Sequence, residues 1–213
     1  MNVAVTPTPV PAPLLAGAPE IAHVGIIGAG QMGNGIAHVC ALAGLPVTML
    51  DVKADALDKA MAVMARNMER QVNRKLISAE DKDAALARVA TTTDYAAFGD
   101  ADFVIEAATE KEEIKRAVFK TLIPHLSPSC MLASNTSSIS ITRLGAATDR
   151  PEKFVGMHFM NPVPVMKLVE IIRGIATDEP TFQAVDALAH KLGKTTGWPR
   201  IFRRSSSTAS WCR

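Results

Sequence analysis

The sequence has few cysteines, few aromatic residues and almost no net charge. Its three cysteines, Cys40, Cys130 and Cys212, form no CxxC pair, which argues against a disulfide framework or a zinc site and is typical of a reducing compartment. The 23 basic residues nearly balance the 21 acidic ones, so no overall charge directs the chain to nucleic acid or membrane. No apolar run approaches the roughly 20 residues of a membrane span. The cysteine spacing, the small net charge and the short apolar runs predict a cytoplasmic protein without a metal, a nucleic-acid partner or a membrane partner.

The first twenty residues lack any positive charge and are rich in proline and alanine. A secretory signal needs a basic region before its apolar run, so the segment does not fit one. Its alternating prolines are incompatible with a helix and favour a partly polyproline-like chain. We therefore expect residues 1–20 to form a disordered Pro/Ala-rich arm.

Between residues 21 and 194, short apolar runs alternate with amphipathic helices. The runs HVGII, PVTML and DFVIE predict buried strands, and apolar residues three and four positions apart predict helices. A long helix after the second run is followed by one that Ser78 would cap, which predicts an inserted helical hairpin. This alternation predicts an α/β fold of Rossmann type: a doubly wound, mostly parallel sheet with helices on both faces.

A glycine motif lies between the first predicted strand and the first predicted helix. Gly28, Gly30 and Gly33 fit G-x-G-x-x-G, in which the glycines allow a tight turn, backbone approach to a pyrophosphate and close helix–strand packing. The second predicted strand ends at Asp51, where an acid can bind the adenosine ribose hydroxyls and would repel a 2′-phosphate. The alternative for Asp51 is a capping or loop acid. Together these features predict dinucleotide binding, with NAD favoured over NADP.

A second group of polar residues stands in the last third of the sequence. His158 lies within the apolar strand KFVGMHFMNP, and Glu170 lies in the next one, VMKLVEII. The two meet only if the chain reverses at the prolines between them. A carboxylate beside an imidazole orients the ring and favours its protonated form, as a general base acting on an alcohol requires. A lone histidine in a strand is otherwise more often structural.

The glycine motif with Asp51, SNTSS at 134–138 and HFMNPVPVMKLVEI at 158–171 together resemble the 3-hydroxyacyl-CoA dehydrogenases, including the bacterial 3-hydroxybutyryl-CoA type. The resemblance extends from about Val24 to Lys194. It implies oxidation of the 3-hydroxyl of a short-chain 3-hydroxyacyl-CoA to a ketone, reversibly, with hydride passed to NAD, in fatty acid metabolism.

The resemblance also implies residue roles. The expected catalytic set is His158 as the general base, Glu170 as its orienting partner, and Ser137 and Asn161 as substrate contacts. Three further residues would lie near the nicotinamide half of the cofactor: Glu110, Lys115 and Asn135. The alternatives are surface charges for Glu110 and Lys115 and a turn-forming role for Asn135. Arg74 or Lys75 could meet a phosphate of CoA, although a solvated helix face explains them equally well.

The last residues depart from the family pattern. Family members continue with a strand, a P-G-F-[IV]-V-N-R motif and a helical second domain that dimerises and closes over the site. If the codons for WPRIFRRSSSTASWCR are read two bases further on, codon degeneracy permits the sequence A-E-D-F-P-A-F-V-V-N-R-I-L-V-P. This sequence contains the family motif, with alanine in place of the usual glycine. We therefore expect residues 195–213 to be an out-of-frame tail that arises from a frameshift near 195–197, which the coding DNA would show.

This expectation bears on partners and activity. The resemblance implies a homodimer for full-length members, but for this chain it implies neither a dimer nor full turnover.

Other hypotheses are another hydroxyacid dehydrogenase of the same fold, a non-catalytic NAD-binding or structural protein, and a nucleic-acid role for the basic tail. The first does not account for HFMNPVPVMKLVE, a structural protein has no need of all four catalytic residues, and the frame shift accounts for the tail's composition.

Overall fold

A single eight-stranded sheet forms the centre of the computed structural model, which describes residues 19–197. The strands run in the order β3-β2-β1-β4-β5-β6-β7-β8. All neighbours are parallel except β6 and β7. The bounds are β1 Val24–Ile27, β2 Val47–Leu50, β3 Val89–Thr92, β4 Phe103–Glu106, β5 Met131–Ser134, β6 Phe154–Phe159, β7 Leu168–Arg173 and β8 Thr195–Gly197.

Helices cover both faces of this sheet. They are α1 Gln31–Leu42, α2 Ala54–Asn73, α3 Ala79–Ala87, α4 Glu112–Leu122, α5 Ile141–Gly145 and α6 Glu179–Lys191. Residues of α1, α2 and α6 join one apolar cluster, and residues of α4 and α5 join another. All residues of β1, β2, β4 and β5 are buried, as expected for parallel strands covered on both sides. The predicted doubly wound fold is confirmed.

The predicted helical hairpin consists of α2 and α3. Leu57, Met64 and Met68 form the buried stripe of α2, and their spacing matches the helical period. Ser78 caps α3 through a reciprocal capping box with Asp81. This double hydrogen bond satisfies free backbone groups at the start of the helix, so the hairpin turn is defined by local sequence.

The differences from the sequence prediction include β8 and α5. Thr195–Gly197, which we placed in the tail, form β8 and pair with β7, so the sheet extends beyond the predicted domain end at residue 194. The short helix α5 was not predicted. The predicted arm up to residue 18 and the tail from residue 198 lie outside the described residues. Among those described, no helix has the length and apolar character needed to cross a membrane.

The topology determines where a ligand site can form. Chain connections leave β1 in one direction along the sheet, toward β2 and β3, and leave β4 in the other, toward β5 and β6. At such a switch point the loops after adjacent strands diverge and leave a crevice at the carboxyl edge of the sheet. The loops that follow β1, β4, β5 and β6 all reach this edge.

Candidate functional site

The turn between β1 and α1 depends on two glycines. Gly28 has φ +99°, a conformation that side chains other than glycine rarely adopt. A Cβ on Gly33 would lie 1.8 Å from the Gly28 carbonyl oxygen, so only glycine lets α1 start this close to β1. The Gly28 amide donates to the Leu50 carbonyl at 2.7 Å, which ties the turn to the end of β2.

Gly30 has a different role in the same turn. It is the N-cap of α1, and because glycine has no side chain the helix N-terminus receives no side-chain cap from this position. A Cβ on it would meet nothing within 4 Å among the described residues. The open space lies in front of a helix N-terminus, where backbone N–H groups and the helix dipole favour an anion. These features fit the pyrophosphate of a dinucleotide.

Asp51 follows β2 at the carboxyl edge of the sheet. Its Oδ2 accepts a hydrogen bond from the Ala29 amide at 2.8 Å, and its Oδ1 accepts one from the Lys53 amide at 3.1 Å. The carboxylate is therefore held against the glycine turn and remains partly exposed. Its position beside the turn matches that of an acid that binds the adenosine ribose.

His158 and Glu170 are direct neighbours across β6 and β7. The chain reverses after β6, as the prolines predicted, and the antiparallel register places the two residues opposite each other. His158 Nδ1 and Glu170 Oε2 are 2.9 Å apart. The carboxylate thereby favours the ring tautomer with a proton on Nδ1 and leaves Nε2 to accept a proton. The histidine side chain is 21% exposed, so a reactant can reach it.

A cleft of about 440 Å³ opens beside this histidine. It brings together six residues that the sequence analysis singled out: Gly30, Glu110, Asn135, Ser137, His158 and Asn161. Of the other predicted site residues, four lie at the glycine turn or beside His158, whereas Arg74 and Lys75 do not line the cleft. Gly28, Gly33 and Asp51 form and flank the glycine turn, and Glu170 lies beside the histidine. Arg74 and Lys75 follow α2 at the tip of the hairpin, where Lys75 has φ 58°.

Two asparagines connect the walls of this cleft. Asn135 Oδ1 accepts a hydrogen bond from the Phe159 amide at 2.9 Å, which joins the end of β5 to the end of β6. Asn161 precedes a cis proline, and its Oδ1 accepts a hydrogen bond from Gln31 Nε2 at 3.2 Å. Gln31 was missed by sequence reasoning because its partner is 130 residues away.

Glu110 holds the segment that carries Ser137. Its Oε1 accepts three hydrogen bonds: 2.9 Å from Thr136 Oγ1, 2.8 Å from the Ser137 amide and 3.1 Å from Ser137 Oγ. Burial by itself would raise the pKa of the Glu110 carboxyl, but the hydrogen bonds from Ser137 and Thr136 outweigh it and hold the pKa below its usual value. Glu110 is therefore an anion at neutral pH.

Lys115 is not a surface charge, contrary to the alternative considered above. Its side chain is 0% exposed, and Nζ lies 2.6 Å from Glu106 Oε2 and 3.6 Å from Glu110 Oε2. The ammonium is thus below the cleft wall rather than on it. Glu106 was missed by sequence reasoning, since the only signal was an acid at the end of a buried strand. Among residues 19–197, no cluster of side chains could hold a metal ion.

A dinucleotide cradle that shares one edge of the sheet with a histidine–carboxylate pair defines a class of protein: the nucleotide-dependent dehydrogenases of the doubly wound fold. Residues 23–196 match the family described as "3-hydroxyacyl-CoA dehydrogenase, NAD binding domain". The chain belongs to this family, and NAD is the cofactor of the domain.

Curated and solved relatives agree with this membership. A 3-hydroxybutyryl-CoA dehydrogenase of Bradyrhizobium diazoefficiens is 57% identical over 174 residues, which are 82% of this chain and 59% of the relative. The crystal structure of (S)-3-hydroxybutyryl-CoA dehydrogenase from Ralstonia eutropha matches with a TM-score of 0.83 and 46% identity, over 84% of this chain and 63% of that one. A Deinococcus radiodurans relative, a probable 3-hydroxybutyryl-CoA dehydrogenase, is 46% identical over 80% of this chain and 61% of its own. The chain thus spans about three fifths of these relatives' length.

Proposed function

We propose that this chain carries the hydride-transfer site of an NAD-dependent 3-hydroxyacyl-CoA dehydrogenase, which interconverts a short-chain 3-hydroxyacyl-CoA and its 3-oxoacyl-CoA. The observation that carries this proposal is the His158–Glu170 pair, which opens onto the same cleft as Gly30 and Ser137. A base beside a dinucleotide cradle is what the oxidation of an alcohol requires.

Each residue has a part in the proposed reaction. His158 Nε2 takes the proton of the substrate 3-hydroxyl, and the Glu170 carboxylate stabilises the imidazolium that results, as the acid of a catalytic triad does. Ser137 and Asn161 donate hydrogen bonds to the substrate oxygen. Bound NAD supplies the acceptor for the hydride that leaves the same carbon. In the reverse direction, the His158 imidazolium returns the proton.

The substrate class rests on the family and on charge. The relatives named above act, by their names, on 3-hydroxybutyryl-CoA, which supports a short acyl chain. Arg74 and Lys75 at the hairpin tip are the cations that we assign to the phosphates of CoA. We place the activity in the cytoplasm, because Cys40 and Cys130 are free and buried thiols, as expected in a reducing compartment.

The proposal is tested with the chain as it is expressed. NADH binding is measured by calorimetry, and turnover is followed at high protein concentration as the loss of NADH absorbance on addition of acetoacetyl-CoA. We expect NADH binding together with turnover that depends on the thioester. Binding without any turnover would instead support the non-catalytic alternative, and no binding would contradict both.

Exchange of Asp51 for asparagine should change the choice of cofactor. The variant keeps an oxygen for the Ala29 amide but loses the charge that binds the ribose hydroxyls and repels a 2′-phosphate. Hydrogen bonds to charged groups contribute about 1.5–3 kcal/mol, so NADH affinity should fall by roughly tenfold or more and the ratio of NADPH to NADH affinity should rise. Asp58→Asn, an exposed acid on α2, is the control. An unchanged ratio in the Asp51 variant would contradict the assignment.

A further inference from the structure

A fully buried ion pair lies behind the part of the cleft wall that Ala108 and Glu110 form. The side chains of Glu106 at the end of β4 and Lys115 in α4 are both 0% exposed, and Glu106 Oε2 lies 2.6 Å from Lys115 Nζ. Removing two charges from water is costly, and an apolar pair of similar size is often at least as stable in such a place. Fold stability alone therefore gives little reason for this pair.

The Glu106 carboxylate is connected to both loops that form the nicotinamide side of the cleft. Its Oε1 accepts a hydrogen bond from the Ala108 amide at 2.9 Å, in the loop after β4. Its Oε2 accepts one from Ser134 Oγ at 2.8 Å, at the end of β5. The backbone carbonyl of the same residue accepts the Asn135 amide at 2.8 Å. The carboxylate thus joins the loop after β4 to the end of β5, and residues of both segments, Ala108 and Asn135, line the cleft.

The pair also connects to the residue that holds Ser137. Lys115 Nζ lies 3.6 Å from Glu110 Oε2, so a single ammonium faces two carboxylates and is closer to the buried one. Glu106 therefore keeps the ammonium below the wall. Without that charge, the ammonium would be drawn to Glu110 and would compete with the hydrogen bonds that Glu110 accepts from the Ser137 segment.

We propose that Glu106 is a positioning residue for the nicotinamide half of the site. Through Lys115 and Glu110 it places Ser137, and through Ala108 and Ser134 it keeps the two loops in register. The adenosine half depends on the glycine turn and Asp51. Gly28 of that turn packs against the Ala107–Ala108 backbone, but the side chains of Glu106, Lys115 and Glu110 make no hydrogen bond to the turn or to Asp51. This inference rests on the proposed function, because it concerns how NAD is held.

The test compares two ligands, NADH and ADP-ribose, which lacks the nicotinamide ring. In Glu106→Gln, which keeps the shape and removes the charge, NADH affinity should fall on the order of tenfold while ADP-ribose affinity stays near the wild-type value. Glu113→Gln, an exposed acid on the same helix, is the matched control and should change neither. A general structural defect would weaken both ligands alike, and that outcome, or unchanged NADH affinity, would overturn the proposal.

Two further variants keep the test decisive if Glu106→Gln does not fold. Ser134→Ala removes one hydrogen bond to Glu106 without leaving a buried charge unpaired, and it should weaken NADH selectively by a smaller factor. Glu106→Gln combined with Lys115→Met removes both charges, and NADH should remain selectively weakened because a neutral amide holds the Ala108 amide and the Ser134 hydroxyl less strongly than the carboxylate does. If the double variant regained the wild-type NADH affinity, the loss in Glu106→Gln would be due only to the unpaired charge of Lys115. That result would refute the positioning role of Glu106. If the wild-type chain binds ADP-ribose but not NADH, the proposed function itself fails.

Discussion

Replacing His158 by glutamine is expected to lower acetoacetyl-CoA-dependent oxidation of NADH by a factor of roughly 10²–10⁴. Glutamine keeps a polar side chain at the same place in β6 but cannot exchange a proton with the substrate oxygen. The glycine turn lies on other elements of the fold, so NADH binding should persist. The measurement is the initial rate of NADH absorbance loss, together with a calorimetric titration of NADH for each protein.

Two companion variants make this prediction specific. Glu170→Gln keeps the length of the carboxylate that lies 2.9 Å from His158, and it should lower the rate less than the loss of the base itself, because the imidazole remains. His125→Gln alters an exposed histidine that does not line the cleft, and it should leave the rate unchanged. If His158→Gln kept the wild-type rate, another group would have to move the proton, and the assignment of the base would be wrong.

Replacement of Gly33 by alanine is expected to abolish NADH binding and to lower the free energy of unfolding by about 3 kcal/mol or more. The added Cβ would lie 1.8 Å from the Gly28 carbonyl oxygen, which is backbone and not a flexible side-chain end. The start of α1 must therefore move away from β1, and the cradle for the pyrophosphate is lost. Thermal unfolding and an NADH titration measure the two effects.

Gly30→Ala is the matched control, because it adds the same methyl group three residues away. Its Cβ meets nothing within 4 Å among the described residues, so the unfolding temperature should hardly change. The methyl would instead occupy the space that we assign to the pyrophosphate, so NADH affinity alone should fall. Equal stability losses in the two variants would show that the glycines act only through the fold. Unchanged NADH affinity in Gly30→Ala would contradict the assignment of the pyrophosphate to this position.

Local pattern was enough to predict most of the elements. Buried parallel strands and amphipathic helices differ in their apolar period, and the cap at Ser78 and the glycine turn are properties of a few neighbouring residues. The first residue of one strand was predicted less accurately, because a tertiary contact determines where that strand begins. The strand predicted over VMKLVEII begins only at Leu168, because the Lys194 ammonium binds the Val163 and Met166 carbonyls and holds the preceding residues in a turn.

The features of the candidate site also differ in whether local sequence or the tertiary fold defines them. Residue type and short spacing were enough to predict the dinucleotide turn, the acid after β2, and a histidine and a glutamate twelve residues apart as candidate site residues. That His158 and Glu170 face each other follows from the fold alone, because it depends on the antiparallel register of β6 and β7. The same holds for the burial of Lys115 against Glu106, which depends on how α4 packs on the sheet. Local sequence specifies elements and turns, whereas the pairing of distant charges follows from burial, which exists only in the folded chain.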